Sequence, residues 1–349
     1  MYRWVERVYE HSPVLLQHAM VSAYGWKLER LRYGGDFQRQ LDELLRTQYY
    51  SETELSALQD EQLRSLLRHC YDNVPHYERL LREHNLTPDD FRTTSDLLKL
   101  PVLEKETVRA NPELFLARNY RRAEGEVVGT SGTTGKTLRI RVDAHGRRRN
   151  YAFFTRLKHW AGIGRGARVA TFGGRTLVPA RVQSPPFWRF NAAANTLLLS
   201  SYHLSDHNLP AYLAKLADWA PELIDSYPSS IGTLAGFAVA RGLVSATPKA
   251  VITSSETLRE EQREAITRAF QTRVFDQYGS AEQVSFISQC ERGRYHVHPE
   301  YGVTEFIPIP GARDGSCSIV ATGFTNYGMP LLRYNMGDVA VPSSERGCE

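Results

Sequence analysis

Between residues 167 and 276 the chain alternates short apolar runs with longer helical patterns, and this alternation limits the fold more than any other feature. Residues 168–172, 222–226, 249–253 and 273–276 read as strands. Residues 209–219, 229–241 and 258–270 read as helices, the second ended by Gly242. Tyr212, Leu213 and Leu216, with Trp219 or Ala220, mark the inward face of the first helix, and Leu258, Ala265, Ile266, Ala269 and Phe270 that of the third. A β-α-β-α order of this kind predicts an α/β sheet. Upstream, to about residue 120, the pattern is helical. Leu55, Leu58, Leu63, Leu66, Leu67 and Cys70 share one helical face. Val14, Leu15, Leu16 and Ala19 suggest a second amphipathic segment, read as packing against the domain in preference to a peripheral membrane contact. After residue 295 short strands and turns take over.

Composition narrows the class. A chain of 349 residues can bury a large core and more than one subdomain. With 42% apolar and 23% charged residues it is an ordinary globular sequence. A net charge of +4 is too small to imply nucleic acid, and basic residues do not interleave with aromatics as in single-strand binders. Cys70, Cys290, Cys317 and Cys348 are too sparse for a disulfide framework. Cys70 and Cys317 read as core residues. No apolar stretch is long enough to span a bilayer, and the default expectation is a cytoplasmic protein.

The densest chemistry lies in Thr130-Ser131-Gly132-Thr133-Thr134-Gly135-Lys136. Glycines let backbone N–H groups approach an anion, hydroxyls add donors, and Lys136 adds a point charge. Such a loop suits a polyphosphate. It is not a Walker A loop, because Thr130 stands at the first glycine position and the alternating residues 138–143 read as a strand where a helix is required. A strand–loop–strand phosphate loop is expected instead.

Three later segments carry complementary groups. Ser254-Ser255-Glu256-Thr257 and Asp276-Gln277-Tyr278-Gly279-Ser280-Ala281-Glu282 follow predicted strands, where parallel sheets bind ligands. The second offers an aromatic face, a close-approach glycine and a carboxylate, although a helix N-cap at Ser280 would have similar composition. In residues 330–338 an apolar strand is expected to lead into a turn presenting Asp338, whose carboxylate can accept two bonds from a diol.

In this order the four segments resemble the adenylate-forming superfamily. More narrowly, the chain is similar to the phenylacetate–CoA ligase family, especially its branch linked to capsule and exopolysaccharide biosynthesis. Ser12-Pro13-Val14-Leu15-Leu16-Gln17, Asn73-Val74-Pro75-His76-Tyr77, residues 100–105 and Ser226-Tyr227-Pro228-Ser229-Ser230 extend the likeness over nearly the whole chain. The resemblance implies a helical region over 1–120, then a nucleotide-binding α/β part over 121–349 that packs with a small distorted β-barrel.

The implied reaction is ATP-dependent activation of a small carboxylic acid as acyl-adenylate, with transfer to coenzyme A. By resemblance, Ser131, Gly132, Thr133, Thr134, Gly135 and Lys136 grip the phosphates, and Lys136 and Glu282 serve catalysis. Glu282 holds Mg²⁺. Asp276, Gln277, Tyr278, Gly279, Ser280, Arg333 and the Ser255–Glu256 backbone surround the nucleotide. Asp338 holds the ribose. Gly173, Gly174 and Tyr227 belong to the acyl pocket. Cys290, His296 and Cys348 are candidate zinc ligands, with His298 a rival.

The resemblance also implies a mobile C-terminal lid bearing a lysine that contacts the reacting carboxylate. No lysine here matches it, and the end Gly347-Cys348-Glu349 reads as an interrupted motif. Two further readings stay open: a noncatalytic nucleotide- or acyl-adenylate-binding subunit, and an acyl or aminoacyl transferase of polysaccharide biosynthesis. A homodimer through the helical N-terminal arms is a further option.

Overall fold

The computed structural model describes residues 3–121, 125–129, 137–343 and 348. In chain order the elements are α1 (Arg3–His11), α2 (Val14–Tyr33), α3 (Phe37–Thr47), α4 (Glu52–Asn73), α5 (Pro75–Glu83), α6 (Lys105–Ala110), β1 (Glu126–Gly129), β2 (Arg139–Val142), α7 (Ala144–Trp160), β3 (Val169–Gly173), β4 (Trp188–Asn191), β5 (Thr196–Ser200), α8 (Leu209–Trp219), β6 (Leu223–Ser226), α9 (Pro228–Ala240), β7 (Ala250–Ser254), α10 (Glu260–Phe270), β8 (Arg273–Gly279), β9 (Phe286–Gln289), β10 (Tyr295–Val297), β11 (Gly302–Pro308), β12 (Cys317–Gly323) and β13 (Tyr334–Ala340). An eight-stranded sheet has the order β10-β9-β8-β7-β6-β3-β5-β4, and smaller sheets are formed by β1-β2 and β11-β12-β13. Two compact units emerge: 1–32, 157–277 and 289–293 form one, and 33–156, 278–288 and 294–349 the other.

The first unit realises the βα alternation. Strands β3, β5, β6, β7 and β8 run parallel, and β4 closes the edge antiparallel to β5. Buried parallel strands need apolar residues on both faces. Ala170, Phe172, Leu197, Leu199, Ile224 and Val251 meet Leu213 and Leu216 of α8, Ile231 and Leu234 of α9, and Ile266 and Phe270 of α10. On the other face Leu223, Ala250, Ile252 and Phe275 pack with Leu157, Ala161 and Ile163.

Helix α2 departs from expectation. Leu15, Leu16 and Ala19 are exposed, Leu15 by 82%, while Gln17 and Gly25 are buried. Contact is made through a close approach at Gly25, where an added Cβ would fall 2.2 Å from Asn191 Oδ1. Gln17 accepts a bond from the buried Arg189 guanidinium. An apolar face is inward only where backbone can approach, and here the small and polar residues allow that approach.

In the second unit α4 opens with a reciprocal cap between Ser51 and Glu54 and buries Leu63, Leu66, Leu67 and Cys70. These pack with Tyr77 and Leu81 of α5, Ile140 and Val142 of β2, Ile319 and Ala321 of β12, and Leu331, Leu332 and Tyr334. Strands β1 and β2 pair antiparallel, from Glu126 with Val142 to Gly129 with Arg139, so residues 130–136 join two strands. That loop itself, with Ser131, Gly132, Thr133, Thr134, Gly135 and Lys136, lies outside the described residues.

Behind α7 is a buried ion pair. Arg156 Nη1 lies 2.7 Å from Glu300 Oε1, and each side chain is 2% exposed. Thr47 donates to Glu300 at 2.8 Å. Burial would raise the Glu300 carboxyl, but the Arg156 charge and hydrogen bonds outweigh it and hold the pKa at about 2.

Candidate functional site

In the first unit, the strand ends collect the expected acyl-pocket residues. Gly173 closes β3, and the Gly174 N–H donates to the Tyr227 hydroxyl at 3.1 Å. The Tyr202 hydroxyl donates to Gly174 O at 2.9 Å. Tyr227 is in extended backbone just before α9, which starts with Pro228. Ser255 takes a positive φ of 69°, turning the chain sharply after β7. The Glu256 carboxylate accepts from Ser229 N at 2.9 Å and Ser229 Oγ at 3.0 Å, so its side chain anchors the start of α9 while the Ser255–Glu256 backbone remains at the strand end. Strand β8 is longer than expected and carries Asp276, Gln277, Tyr278 and Gly279 within it. Asp276 is buried, its Oδ1 accepting from Thr253 Oγ1 at 2.5 Å. Gln277 is 7% exposed and its Oε1 has no partner among the described residues.

In the second unit, the residues from 278 onward converge on β13. Tyr278 donates to Asp338 Oδ2 at 2.7 Å. Burial first, then the Asp338 carboxylate, pushes the Tyr278 hydroxyl pKa upward, so it remains a donor. The expected strand-then-turn around Asp338 is replaced by a strand with a bulge. Residues 331–333 are irregular, β13 starts at Tyr334, and Asp338 lies inside it. Val320 pairs with Asn335 but Ser318 with Val339, so β13 bulges across Met336, Gly337 and Asp338. Gly337 supplies the positive φ of 75° that the bulge needs. This presents Asp338 to solvent.

Glu282 is 4% exposed. Its Oε1 accepts from the Tyr334 hydroxyl at 3.0 Å and lies 3.2 Å from Lys105 Nζ. The Lys105 ammonium therefore occupies a cation position against the very carboxylate expected to bind a metal. Lys105 is placed by backbone bonds from Leu103 N to Arg333 O, 2.8 Å, and from Asn335 N to Leu103 O, 2.9 Å. The sequence flagged residues 100–105 by likeness only and gave no role to Lys105. Ser280 caps no helix, since none begins there, and its buried Oγ lacks a partner among the described residues. Arg333 is 7% exposed, with its guanidinium on Glu305 at 2.8 Å and on Leu100 O at 2.5 Å. Those bonds hold β11 and the 100–105 segment around it.

Cys290 directly follows β9 and His296 lies in β10, and both remain candidate metal ligands with Cys348. The rival His298 is committed elsewhere. Arg156 Nη2 donates to its Nδ1 at 2.6 Å, and Nε2 shares a 2.7 Å bond with Ser288 Oγ. Burial first, and then Arg156, drives its pKa well down, so it stays neutral.

No family model matches the chain. It is 29% identical over 332 residues to Protein CapK of Staphylococcus aureus, which covers 95% of this chain and 72% of that protein. It is 26% identical over 300 residues to the phenylacetate-coenzyme A ligase of Thermus thermophilus, covering 82% of this chain and 65% of that one. The fold is shared with an open conformation of 2-hydroxyisobutyryl-CoA ligase in complex with 2-HIB-AMP and CoA. That match has a TM-score of 0.59 and 16% identity, over 80% of this chain and 68% of the other. The fold is thus the mixed α/β architecture of adenylate-forming enzymes. Over most of its length the chain is thus similar to CapK and to a phenylacetate-coenzyme A ligase.

Proposed function

We propose that this chain activates a small carboxylic acid with ATP and passes the acyl group to coenzyme A. A carboxylate oxygen attacks the α-phosphorus and the bond to pyrophosphate breaks, leaving acyl-AMP. The thiol of coenzyme A then attacks the acyl carbon, losing its proton, and AMP departs. The observation that carries this reading is the Asp338–Tyr278 pair on the β13 bulge, in one unit with the buried Glu282 and the β1–β2 strands that bracket residues 130–136. The similarity to the Thermus thermophilus phenylacetate-coenzyme A ligase also supports it.

In this reading Ser131, Gly132, Thr133, Thr134, Gly135 and Lys136 hold the phosphates, Asp338 accepts the ribose hydroxyls and the Tyr278 ring stacks on the base. Asp276, buried and fixed by Thr253, together with the Ser255–Glu256 backbone lines the adenine. Glu282 fits Mg²⁺, which commonly uses one or two carboxylates plus substrate phosphates. Its oxygen already faces a cation, Lys105. Mg²⁺ would spread the charge that builds on pyrophosphate.

Cys290, His296 and Cys348 supply two thiols and an imidazole, a donor set suited to structural zinc. We place the protein in the cytoplasm, in line with the absence of any described helix long and apolar enough to cross a membrane. The likeness of Ser12-Pro13-Val14-Leu15-Leu16-Gln17 to the capsule-linked branch supports a role in capsule or exopolysaccharide biosynthesis. We further propose a homodimer through exposed Leu15, Leu16 and Trp26 of α2, which a monomer mass in light scattering would refute.

The test is calorimetry of Mg·ATP with the 349-residue chain and its Asp338→Ala variant, alongside acid-dependent pyrophosphate exchange. Binding that weakens about tenfold or more in the variant supports the ribose assignment. Equal affinity in both removes Asp338 from the site. Binding without exchange by a chain completed with its C-terminal domain would favour the noncatalytic subunit.

A further inference from the structure

The parallel register of the first unit aligns Thr171, Asp225, Ile252 and Phe275 as one rung across β3, β6, β7 and β8. Ile252 and Phe275 belong to the apolar cluster on that face. A carboxyl in such a rung is out of place, because central parallel strands are buried on both sides. The Asp225 carboxyl has no hydrogen-bond partner among the described residues. It keeps some accessible surface, yet burial raises its pKa, and the opposing pull of Lys158 does not cancel that effect. Retaining such a group costs stability, which calls for a compensating role.

Two observations indicate what fills the space beyond it. One step toward the strand ends, the same face carries Gly173, Tyr227, Ser254 and Gln277, the last two paired in register. A Cβ built on Gly173 would meet nothing within 4 Å, so the room above this rung is open. Gln277, only 7% exposed, has an Oε1 without a donor among the described residues. Asp225 therefore lies on the same face as Gly173 and Tyr227, one step below these expected acyl-pocket residues, and both orphan groups are acceptors.

We propose that Asp225 is a specificity-determining residue that selects acids bearing an ammonium or hydroxyl donor at the end remote from the reacting carboxylate. This rests on the acid-activating reading above. A purely alkyl or aryl acid would leave Asp225 and Gln277 unpaired, and sites with buried unpaired groups reject the ligand that leaves them so.

The test measures calorimetric binding to the full chain, in the presence of Mg·ATP, of two nearly isosteric pairs. These are aminopentanoate against hexanoate, and para-aminomethyl-phenylacetate against para-ethyl-phenylacetate. At least one donor-bearing acid should bind about tenfold tighter than its partner. Asp225→Asn, which keeps the shape, should remove most of that preference, and Asp225→Leu should reverse it. A purely structural Asp225 would leave the preference unmoved. Absence of any preference, or its survival in Asp225→Leu, overturns the proposal while Mg·ATP binding upholds the nucleotide site. Failure of wild-type protein to bind Mg·ATP overturns both. The Asn variant also reports folding through its melting curve. Because the Asp225 pKa is raised, its charge costs stability above that pKa, so Asp225→Asn should melt higher at neutral pH and converge with wild type in acid. A lower melting point at neutral pH would mean that the carboxylate is structural and would overturn the proposal.

Discussion

Replacing Lys105 by methionine isolates the contact that governs Glu282. Methionine keeps most of the length of the stem and removes the charge. The ion pair is 3.2 Å long, with 26% of the Lys105 side chain and 5% of the Glu282 side chain exposed. At that distance, with an effective dielectric of about 20, the attraction is about 5 kcal/mol. Desolvation of the carboxylate offsets much of it. Stranding one member of a buried pair usually costs about 3–5 kcal/mol. Water reaches Lys105 and Tyr334 still donates at 3.0 Å, so a loss of about 2 kcal/mol is expected here. Urea unfolding of wild type, Lys105→Met, Glu282→Gln and the double variant closes a cycle whose coupling should be about 2 kcal/mol. Millimolar Mg²⁺ should also protect Lys105→Met more than wild type, because no ammonium competes for the carboxylate. Coupling below about 0.5 kcal/mol would show the pair to be incidental. Equal protection of both proteins by Mg²⁺ would remove Glu282 from the metal.

Tyr278→Phe leaves the ring and frees Asp338 from a 2.7 Å bond, so Mg·ATP should bind up to about tenfold tighter. Weaker binding would show that the hydroxyl itself serves the nucleotide. Glu300, held at about 2 against its ordinary 4.5, contributes about 3 kcal/mol that is fully present above pH ~4.5 and is lost as the pH falls toward ~2. Glu300→Gln should flatten that acid limb of the stability curve, and an unchanged limb would refute the linkage. Purified protein should carry about one zinc per chain, lost on Cys290→Ser or His296→Ala, with a lower melting temperature after chelation. Metal analysis that finds none, with melting unmoved by chelator, would dismiss the site.

What could be read from sequence was whatever depends on local period and composition. Helix α8 runs over the anticipated residues, and β6, β7, α9 and α10 lie within two residues of expectation. The strand–loop–strand setting of residues 130–136 follows from alternation at Leu138, Ile140 and Val142, all buried. Register is another matter. The bulge that presents Asp338 arises from how β13 pairs with β12, and no local pattern reports a partner strand's phase. The Glu305 partner of Arg333 and the Lys105 partner of Glu282 are likewise set by tertiary contacts.

Helix α2 shows the same limit from the other side. Apolar residues at 14–16 and 19 gave a plausible inward face, yet the close approach at Gly25 decided which side packs. Asp225 differs, because its signal was present in the residues themselves. It stands third in Leu223-Ile224-Asp225-Ser226, inside a run correctly read as a strand. Had that strand also been read as parallel and central, a lone carboxylate in it would already have required an explanation. The sheet order, with β6 between β3 and β7, supplies that missing premise and turns an unremarked aspartate into the residue on which substrate choice is proposed to depend.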